Sequence, residues 1–163
     1  MADDDITIRT RLAHGDIGRI IELHGTEYDP AHGYGIRFEA YVARTLAEFM
    51  LDGGGAGRIW MAESDGRLEG CTAIVHRTGN SAQLRWVLVS RRARGQGLGR
   101  RLVEAAVAYC REQGFRRVFL ETTDGLHASS TLYLSLGFAT VEEQIEELWA
   151  GPRPLITMEL RLR

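Results

Sequence analysis

Residues 90–102 read SRRARGQGLGRRL and combine three glycines with five arginines at one point of the chain. An apolar run precedes this stretch, and apolar residues at helical spacing follow it from Leu98. A helix start leaves about four backbone N–H groups without partners, and Gly95, Gln96 and Gly97 offer none of the usual capping side chains. The first turn also holds two arginines and no carboxylate. Because glycines let an anion approach the backbone closely, the stretch predicts a binding site for phosphate.

Three other interpretations of this stretch carry less weight. A flexible turn with solvated arginines would explain three glycines alone, but it does not explain the missing caps. A Walker phosphate loop needs a lysine, and all 20 basic residues of the chain are arginine. A dinucleotide-binding loop has Glu121 at a suitable distance, yet it needs G-x-G-x-x-G directly after a parallel strand. Here the glycines run G-x-G-x-G after an antiparallel meander, so a nucleotide-binding oxidoreductase is the weaker alternative.

The size and cysteine content indicate one ordinary domain. The chain has 163 residues, and a domain of this length buries a core without disulfides or a structural metal. We therefore expect a single domain over residues 1–163. The two cysteines, Cys71 and Cys110, lie in apolar surroundings far apart in the sequence, so we expect reduced core residues and no metal site.

The charge and hydropathy limit the partners. The net charge of −2 argues against nucleic acid, which requires a strongly basic surface. No apolar run is long enough to span a membrane, and the acidic N-terminal residues differ from a signal peptide. We therefore expect a cytoplasmic protein without a membrane partner.

Apolar periodicity predicts the elements that position the glycine-rich stretch. Asp65-Gly66 between two apolar runs is a strong hairpin signal, and it indicates an antiparallel meander before the stretch. A mixed sheet with helices packed on it follows from the order of the elements. That order is a strand (6–10), two helices (16–28 and 38–49), three strands (58–63, 68–76 and 84–89), a helix (98–110), a strand (117–122), a helix (128–136) and two strands (138–141 and 155–162).

Two segments have a less regular pattern. Residues 25–35 contain three glycines and a proline among polar aromatic residues, and we expect a loop there. Residues 142–147 carry four glutamates and would suit a helix by propensity. We expect them to form the end of a strand and an exposed loop.

Two short motifs resemble one known family. Residues 94–99, RGQGLG, match the Q/R-x-x-G-x-G/A signature of the GNAT superfamily of N-acetyltransferases, and residues 132–138, LYLSLGF, resemble its LYxxxGF segment. The order of elements is also similar, and the part from Leu84 onward resembles acetyltransferase domains fused to MarR-type regulators. The resemblance implies an α/β (α+β) fold with a mixed, mostly antiparallel sheet of about seven strands and about four flanking helices. It also implies that the sheet splays between its two central parallel strands.

The resemblance implies acetyl-coenzyme A as the acyl donor. Its pyrophosphate would rest on the backbone N–H groups of the glycine-rich stretch, and its pantetheine arm would follow the strand at Val87 and Val89. A backbone N–H at the end of that strand polarises the thioester carbonyl in this family, and Val89 is the candidate. Leu126 replaces an asparagine that often touches the cofactor, and His127 or Ser129 could supply that contact. The implied cofactor-binding residues are Val87, Val89, Arg94, Gly95, Gln96, Gly97, Leu98, Gly99, Arg100 and Ser129.

Acetyl transfer to an amine moves two protons, one from the amine and one to the leaving thiolate. The resemblance makes Tyr133 the acid that protonates the thiolate, and a core tyrosine is the alternative. Glu121, at the end of a strand, is the preferred base. His127, Glu63 and His76 are alternatives, and so is a relay through water. The predicted catalytic residues are Tyr133, Val89 and Glu121.

The acceptor is expected where the first two helices meet the cleft, with Tyr28, His32 and Tyr34 as the substrate-binding residues. The glutamates of residues 142–147 would favour a cationic amine, although a solvated acidic loop explains them equally well. The predicted function is transfer of an acetyl group from acetyl-coenzyme A to a primary amine of an unidentified small molecule or peptide. A non-catalytic acyl-coenzyme A sensor on the same fold is the alternative, and a homodimer is left open.

Overall fold

The structure is a computed structural model that describes residues 5–52 and 56–163, with the side chains of residues 29–31 outside the description. Within these ranges the chain forms seven strands and four helices, in the order predicted from the sequence. The strands are β1 (Thr7–Arg9), β2 (Gly57–Ser64), β3 (Arg67–Arg77), β4 (Ser81–Val89), β5 (Arg117–Thr122), β6 (Ala139–Leu148) and β7 (Gly151–Arg161). The helices are α1 (Asp16–His32), α2 (Gly35–Leu51), α3 (Leu98–Glu112) and α4 (His127–Ser135), with a 3₁₀ turn at Arg91–Ala93.

The strands form one sheet in the order β1-β2-β3-β4-β5-β7-β6. Strands β2, β3 and β4 are the predicted antiparallel meander. Asp65 and Gly66 close its first hairpin with φ angles of 49° and 71°, as a tight hairpin turn requires. Strands β4 and β5 run parallel, and the other described neighbours run antiparallel. The predicted mixed, mostly antiparallel sheet is therefore confirmed.

Helices cover both faces of the sheet and give the protein two hydrophobic cores. Phe38 and Leu46 of α2 recur at helical spacing and are buried with residues of α1, β2 and β3 on one face. Leu102 and Val103 of α3 are buried on the other face together with Phe138, which follows α4. The site described below lies where these two layers meet at the centre of the sheet.

The loop predicted at residues 25–35 was wrong. Helix α1 continues to His32, and α2 begins at Gly35. Gly25 lies inside α1, and a Cβ at that position would overlap the carboxylate of Glu39 on α2. Gly25 therefore lies against a side chain of α2 and does not end the first helix.

The loop predicted within residues 142–147 was also wrong. These residues form the second half of β6, which pairs with β7 as far as Leu148. Because β6 is the edge strand of the sheet, its glutamates stay exposed to solvent. Pairing with β7 therefore outweighs the helical propensity of the glutamates.

Candidate active site

The two parallel strands separate at the centre of the sheet. β4 and β5 are paired from Ser81 with Arg117 to Gln83 with Phe119, and the described pairing ends there. The rest of β4 (84–89) and of β5 (120–122) therefore forms the two walls of a cleft. This separation is the splay that the family resemblance implied.

A bulge in β4 changes the direction of the strand at the cleft. The register with β3 shifts between Cys71 and Ala73, and Trp86 has a φ of 49°, which tryptophan rarely adopts. The thiol of Cys71 donates to the carbonyl oxygen of Trp86 at 3.1 Å. Beyond the bulge, Val87 and Val89 both pack on the α3 face, as their alternation predicted.

Helix α3 begins with the features expected of an anion site. Its N-cap, Gly97, has a φ of 77° and no side-chain cap, and its first turn contains no carboxylate. Gly95 has the same φ, and a Cβ on either glycine would meet no atom within 4 Å beyond the adjacent residues. The space above the loop is therefore open. At Gly99 a Cβ would lie 3.5 Å from Leu132 and 3.6 Å from Val89, so α3 packs closely on α4 and β4.

Side chains of neighbouring elements hold the glycine-rich loop. Ser90 accepts a hydrogen bond from the N–H of Ala93, and its own hydroxyl donates to the buried Glu69 of β3. Glu27 of α1 accepts from the backbone N–H of Arg91 at 3.0 Å. These contacts tie the loop to β3 and α1, so its backbone is positioned before any ligand binds.

The side chains of the loop take different positions. Leu98 is buried, Gln96 is exposed, and Arg100 donates to the hydroxyl of Ser135 at 2.7 Å. Arg94 lies 3.6 Å from Glu27, measured from the guanidinium nitrogen to the carboxylate oxygen. The backbone N–H groups at the start of α3 are therefore the candidate phosphate contacts that the structure leaves most open.

A cavity of about 740 Å³ adjoins the cleft, between the first two helices, β4, β5, α4 and the β6–β7 hairpin. This volume is in the range of small-ligand sites. Six residues predicted from the sequence line it, namely Tyr28, Tyr34, Val87, Glu121, Ser129 and Tyr133. The structure therefore brings the predicted acid, the preferred base and two of the acceptor residues to one space.

Tyr133 of α4 lines the cavity while its ring is buried against Phe138, with 5.9 Å between ring centroids. Burial raises the pKa of its hydroxyl above the ordinary value, with a smaller contribution from Tyr28, and a hydrogen bond with Ser129 opposes the shift. The hydroxyl therefore stays protonated at neutral pH. The same side chain belongs to the core and reaches the cavity.

Glu121 is the exposed residue of β5 that lines the cavity. The structure places the other candidates for the base elsewhere. His76 Nε2 lies 2.9 Å from a tyrosine hydroxyl of α3, and Glu63 is paired with Arg9 at 2.8 Å near β1. Hydrogen bonding from Arg9 lowers the pKa of Glu63. His127 is exposed at the start of α4, outside the described cavity lining.

Aromatic side chains form one wall of the cavity. Trp149, at the tip of the β6–β7 hairpin, packs against Tyr34, Phe38 and Tyr41, with ring centroids 5.4, 4.9 and 5.1 Å apart. Tyr28 stacks on Tyr34 at 5.7 Å. The hairpin therefore closes over the first two helices, and we call these five residues the aromatic wall.

Two polar atoms of the aromatic wall are buried without a partner. The hydroxyl of Tyr34 and Nε1 of Trp149 have no hydrogen bond to any described residue. Burial raises the pKa of Tyr34. His32 lies beside the wall, 5.5 Å from Tyr28 and 5.3 Å from Tyr34 between ring centroids, but it is not among the described lining residues. Burial and two nearby arginines lower the pKa of His32.

Several lining residues were missed in the sequence. Arg85 lies over the ring of Trp86 at 4.8 Å and donates to the hydroxyl of Tyr41 at 3.0 Å. Trp86 could not be assigned because the bulge that turns it is invisible in the apolar pattern. Trp149 had a weak signal, since it directly precedes an Ala-Gly-Pro turn between the last two strands.

The described residues offer neither a metal site nor a membrane-spanning helix. Among the described residues, no cluster of three or more His, Cys, Asp or Glu is arranged to hold a metal ion. None of the described helices has the length and apolar character that crossing a membrane requires. Cys71 and Cys110 are free and buried, and burial raises the pKa of each thiol to about 12.

A protein-family model for the acetyltransferase (GNAT) family matches residues 19–138. This chain belongs to the GNAT family. Among curated GNAT relatives, N-acetyltransferase 8F1 of Rattus norvegicus is 34% identical over 87 residues, which is 50% of this chain and 39% of the relative. The uncharacterized N-acetyltransferase YjgM of Escherichia coli is 34% identical over 86 residues, covering 51% of this chain and 52% of the relative. The chain thus spans about half or less of these relatives.

Solved GNAT structures share the fold over nearly the whole chain. An N-acetyltransferase from Staphylococcus aureus superposes with a TM-score of 0.78 at 17% identity, covering 98% of this chain and 99% of that one. A ribosomal-protein-alanine N-acetyltransferase from Brucella melitensis has a TM-score of 0.74 at 21% identity, covering 96% and 99%. A GNAT acetyltransferase from Elizabethkingia anophelis, solved with acetyl-CoA bound, has a TM-score of 0.72 at 14% identity, covering 98% and 100%. At these identities the likeness concerns the fold.

Proposed function

We propose that this GNAT protein transfers an acetyl group from acetyl-coenzyme A to the amine of a small acceptor. One observation carries the proposal: the cleft between β4 and β5 adjoins both an uncapped helix start and a cavity lined by the buried Tyr133. Phosphate recognition at the helix start and proton donation by Tyr133 would then serve one bound donor. The acetyl-CoA bound to the Elizabethkingia anophelis neighbour supports the same choice of donor.

The residues around the cleft suit coenzyme A. The start of α3 carries the positive end of the helix dipole, and the open space above Gly95 and Gly97 admits a pyrophosphate. The backbone of Val87 and Val89 faces the cleft without a described β5 partner. The N–H and C=O groups of Val87 would serve the amides of a pantetheine arm, whereas the carbonyl of Val89 already accepts a hydrogen bond from Arg94.

The chemistry assigns three roles to the chain. Bound acetyl-coenzyme A would supply an acetyl group activated as a thioester. The acceptor nitrogen forms a C–N bond as the C–S bond breaks, so one proton leaves nitrogen and one reaches sulfur. Tyr133 holds the proton for sulfur, and Glu121 accepts the proton of the amine directly or through water. The backbone N–H of Val89 would stabilise the negative charge on the carbonyl oxygen.

The test is release of free thiol from acetyl-coenzyme A across a panel of primary amines, beside thermal stabilisation by coenzyme A. We expect coenzyme A to stabilise the protein and at least one amine to release thiol. Stabilisation without thiol release for any amine would show a non-catalytic sensor instead. An oxidoreductase of the dinucleotide-binding class is no longer supported, because its loop must follow a strand of a parallel sheet and β4 ends an antiparallel meander.

We also propose that the protein works in the cytoplasm as one domain. The described strands form a single sheet with both faces covered, which supports one folding unit. The two free, buried cysteines fit a reducing compartment. A small amine is then the main partner, and size-exclusion chromatography with light scattering would decide between a monomer and a homodimer.

A further inference from the structure

The unpartnered atoms of the aromatic wall indicate what the acceptor must carry. Tyr34 is only 3% exposed, and its hydroxyl and Nε1 of Trp149 both lack a described hydrogen-bond partner. An indole N–H donates and never accepts. Both side chains line the cavity. Because a buried polar group without a partner destabilises the protein, a small turn of either ring toward a ligand is favoured when the ligand presents an oxygen that accepts hydrogen bonds.

The arginines around the wall indicate that this oxygen carries negative charge. Arg44 and Arg85 lie 5.8 and 6.0 Å from the centre of the Tyr41 ring, and Arg153 lies 5.7 Å from that of Tyr34. Guanidinium groups therefore lie near these two rings, and their positive charge disfavours a polyamine. Arg44 is paired with a glutamate and Arg153 with an aspartate.

Two arginines of the cavity are not neutralised in this way. Within the described residues, no carboxylate lies at ion-pair distance from Arg37 or Arg85, and both line the cavity. Glu121, Glu146 and Glu147 line it as well, so the cavity offers both signs of charge. A ligand with an amine and a carboxylate would match both.

The shape of the cavity adds an apolar requirement. Trp149 forms the hairpin side of the wall, beside a half-open space of about 740 Å³, part of which the acyl donor would fill. The remainder is bounded by aromatic rings, which favour an apolar or aromatic group of modest size.

We propose that the acceptor is a free α-amino acid with an aromatic or large apolar side chain, whose carboxylate faces Tyr34, Trp149 and the unneutralised arginines. This inference rests on the proposed acetyltransferase function and names its substrate class. The side chain packs on the aromatic wall, and the amine faces the thioester. The same recognition excludes amines that lack a neighbouring carboxylate.

The decisive experiment compares acceptors that differ by one group. Thiol release is measured for L-phenylalanine, L-phenylalaninamide, 2-phenylethylamine, a dipeptide beginning with phenylalanine, and spermidine. We expect kcat/KM for L-phenylalanine to exceed that for 2-phenylethylamine and for the amide by about 10-fold or more, the usual effect of a charged hydrogen bond. Equal or better turnover of the dipeptide would identify a peptide N-terminus as the acceptor, and equal or better turnover of spermidine would identify a polyamine. Either result would overturn the proposal.

Two variants connect the preference to the unpartnered atoms. Trp149→Phe and Tyr34→Phe keep the rings and remove the N–H and the O–H. Each should raise KM for L-phenylalanine by about 10-fold and reduce the preference for L-phenylalanine over 2-phenylethylamine by about the same factor. Trp60→Phe is the matched control, since Trp60 is buried in the core on the α3 face. Equal effects on L-phenylalanine and 2-phenylethylamine would overturn the assignment of the carboxylate contact.

Direct binding separates this inference from the proposed function. Calorimetry of L-phenylalanine against the protein saturated with coenzyme A needs no turnover. Binding that is lost in Trp149→Phe supports the inference even if no amine releases thiol, in which case the catalytic proposal alone fails. No binding and no turnover of L-phenylalanine, with another amine turned over, would reject the inference and leave the catalytic proposal standing.

Discussion

The Nε atom of Arg94 donates a hydrogen bond to the carbonyl oxygen of Val89 across 3.1 Å. The contact joins the glycine-rich loop to the end of β4, where the two parallel strands are already apart. Glu27 lies 3.6 Å from the same guanidinium group and also accepts from the backbone at Arg91. Arg94 therefore sits between the predicted phosphate site and the predicted oxyanion contact, and it is held by the end of β4 and by α1.

Arg94→Ala should weaken binding of coenzyme A by about 10-fold, because it removes a cation and a strand contact beside the phosphate site. Arg101→Ala removes an equal charge from the exposed side of α3 and should change affinity little. Isothermal titration calorimetry at one fixed ionic strength measures the affinity of each variant for coenzyme A. Equal losses in the two variants would mean that a diffuse positive field attracts the ligand, without a defined role for Arg94.

Gly97→Leu should reduce affinity for coenzyme A by about 100-fold or more, because the side chain would occupy the open space at the start of α3. The backbone there has a φ of 77°, so the substitution also destabilises the fold by about 1 kcal/mol. Gly114→Leu is the control, since Gly114 has a φ of 79° and similar open space at the far end of the helix. Both variants should melt earlier, but only the first should lose stabilisation by coenzyme A.

Tyr133→Phe should lower turnover by about 10²–10⁴ and leave affinity for acetyl-coenzyme A nearly unchanged, because it removes the proton held for sulfur while keeping the ring. Tyr109→Phe is the matched control, since Tyr109 is buried in the same core but is not among the described lining residues of the cavity. Its hydroxyl lies 2.9 Å from His76, so its loss should cost about 1 kcal/mol of stability and no activity. Steady-state kinetics and melting curves distinguish the two. Full activity of Tyr133→Phe would make solvent the proton source.

His24 should make the protein less stable below neutral pH. Its ring is 2% exposed, and burial lowers its pKa to about 4, despite a 2.8 Å contact with the carbonyl oxygen of Ile20. The unfolded chain therefore binds a proton below about pH 6.5 that the folded chain binds only near pH 4. The contribution of neutral His24 to the free energy of unfolding is therefore complete above pH 6.5, and about 3 kcal/mol of it is lost as the pH falls to 4.

His24→Gln removes this titration and keeps a side-chain donor for Ile20. Urea unfolding of both proteins between pH 7 and 4 should show the wild type losing stability more steeply than the variant. Identical slopes would mean that protonation of His24 does not limit stability in acid.

Much of the fold could be predicted because its signals are local. Asp65-Gly66 specifies a hairpin, and the apolar spacing from Leu98 specifies α3. The predictions failed where tertiary contacts, and not local sequence, determine the secondary structure. Gly25 is a packing contact with Glu39 rather than a helix end, and the glutamates of β6 become a strand because β7 supplies their backbone partners.

The candidate site was predictable to the extent that it depends on motifs. The uncapped start of α3 and the position of Tyr133 follow from two short segments of sequence. The aromatic wall does not follow from a short segment. Trp149 lies at a hairpin tip more than one hundred residues after the start of α2, and no local pattern relates it to Tyr34. Likewise, the positive φ of Trp86 depends on the pairing of β4 with β3 and cannot be predicted from the neighbouring residues in the sequence.

The arginines that surround the cavity have a chemical consequence for a protein that handles a thioester. A lysine amine beside an activated acetyl group can be acylated, whereas the delocalised guanidinium of arginine stays charged and is not a nucleophile. All 20 basic side chains of this chain are arginine, including Arg37, Arg85 and Arg94 around the site. The protein therefore attracts anions with strong positive charge and offers the acetyl group no side-chain amine of its own. Because the chain has no lysine, the protein cannot lose positive charge at the binding site through acetylation of a lysine side chain.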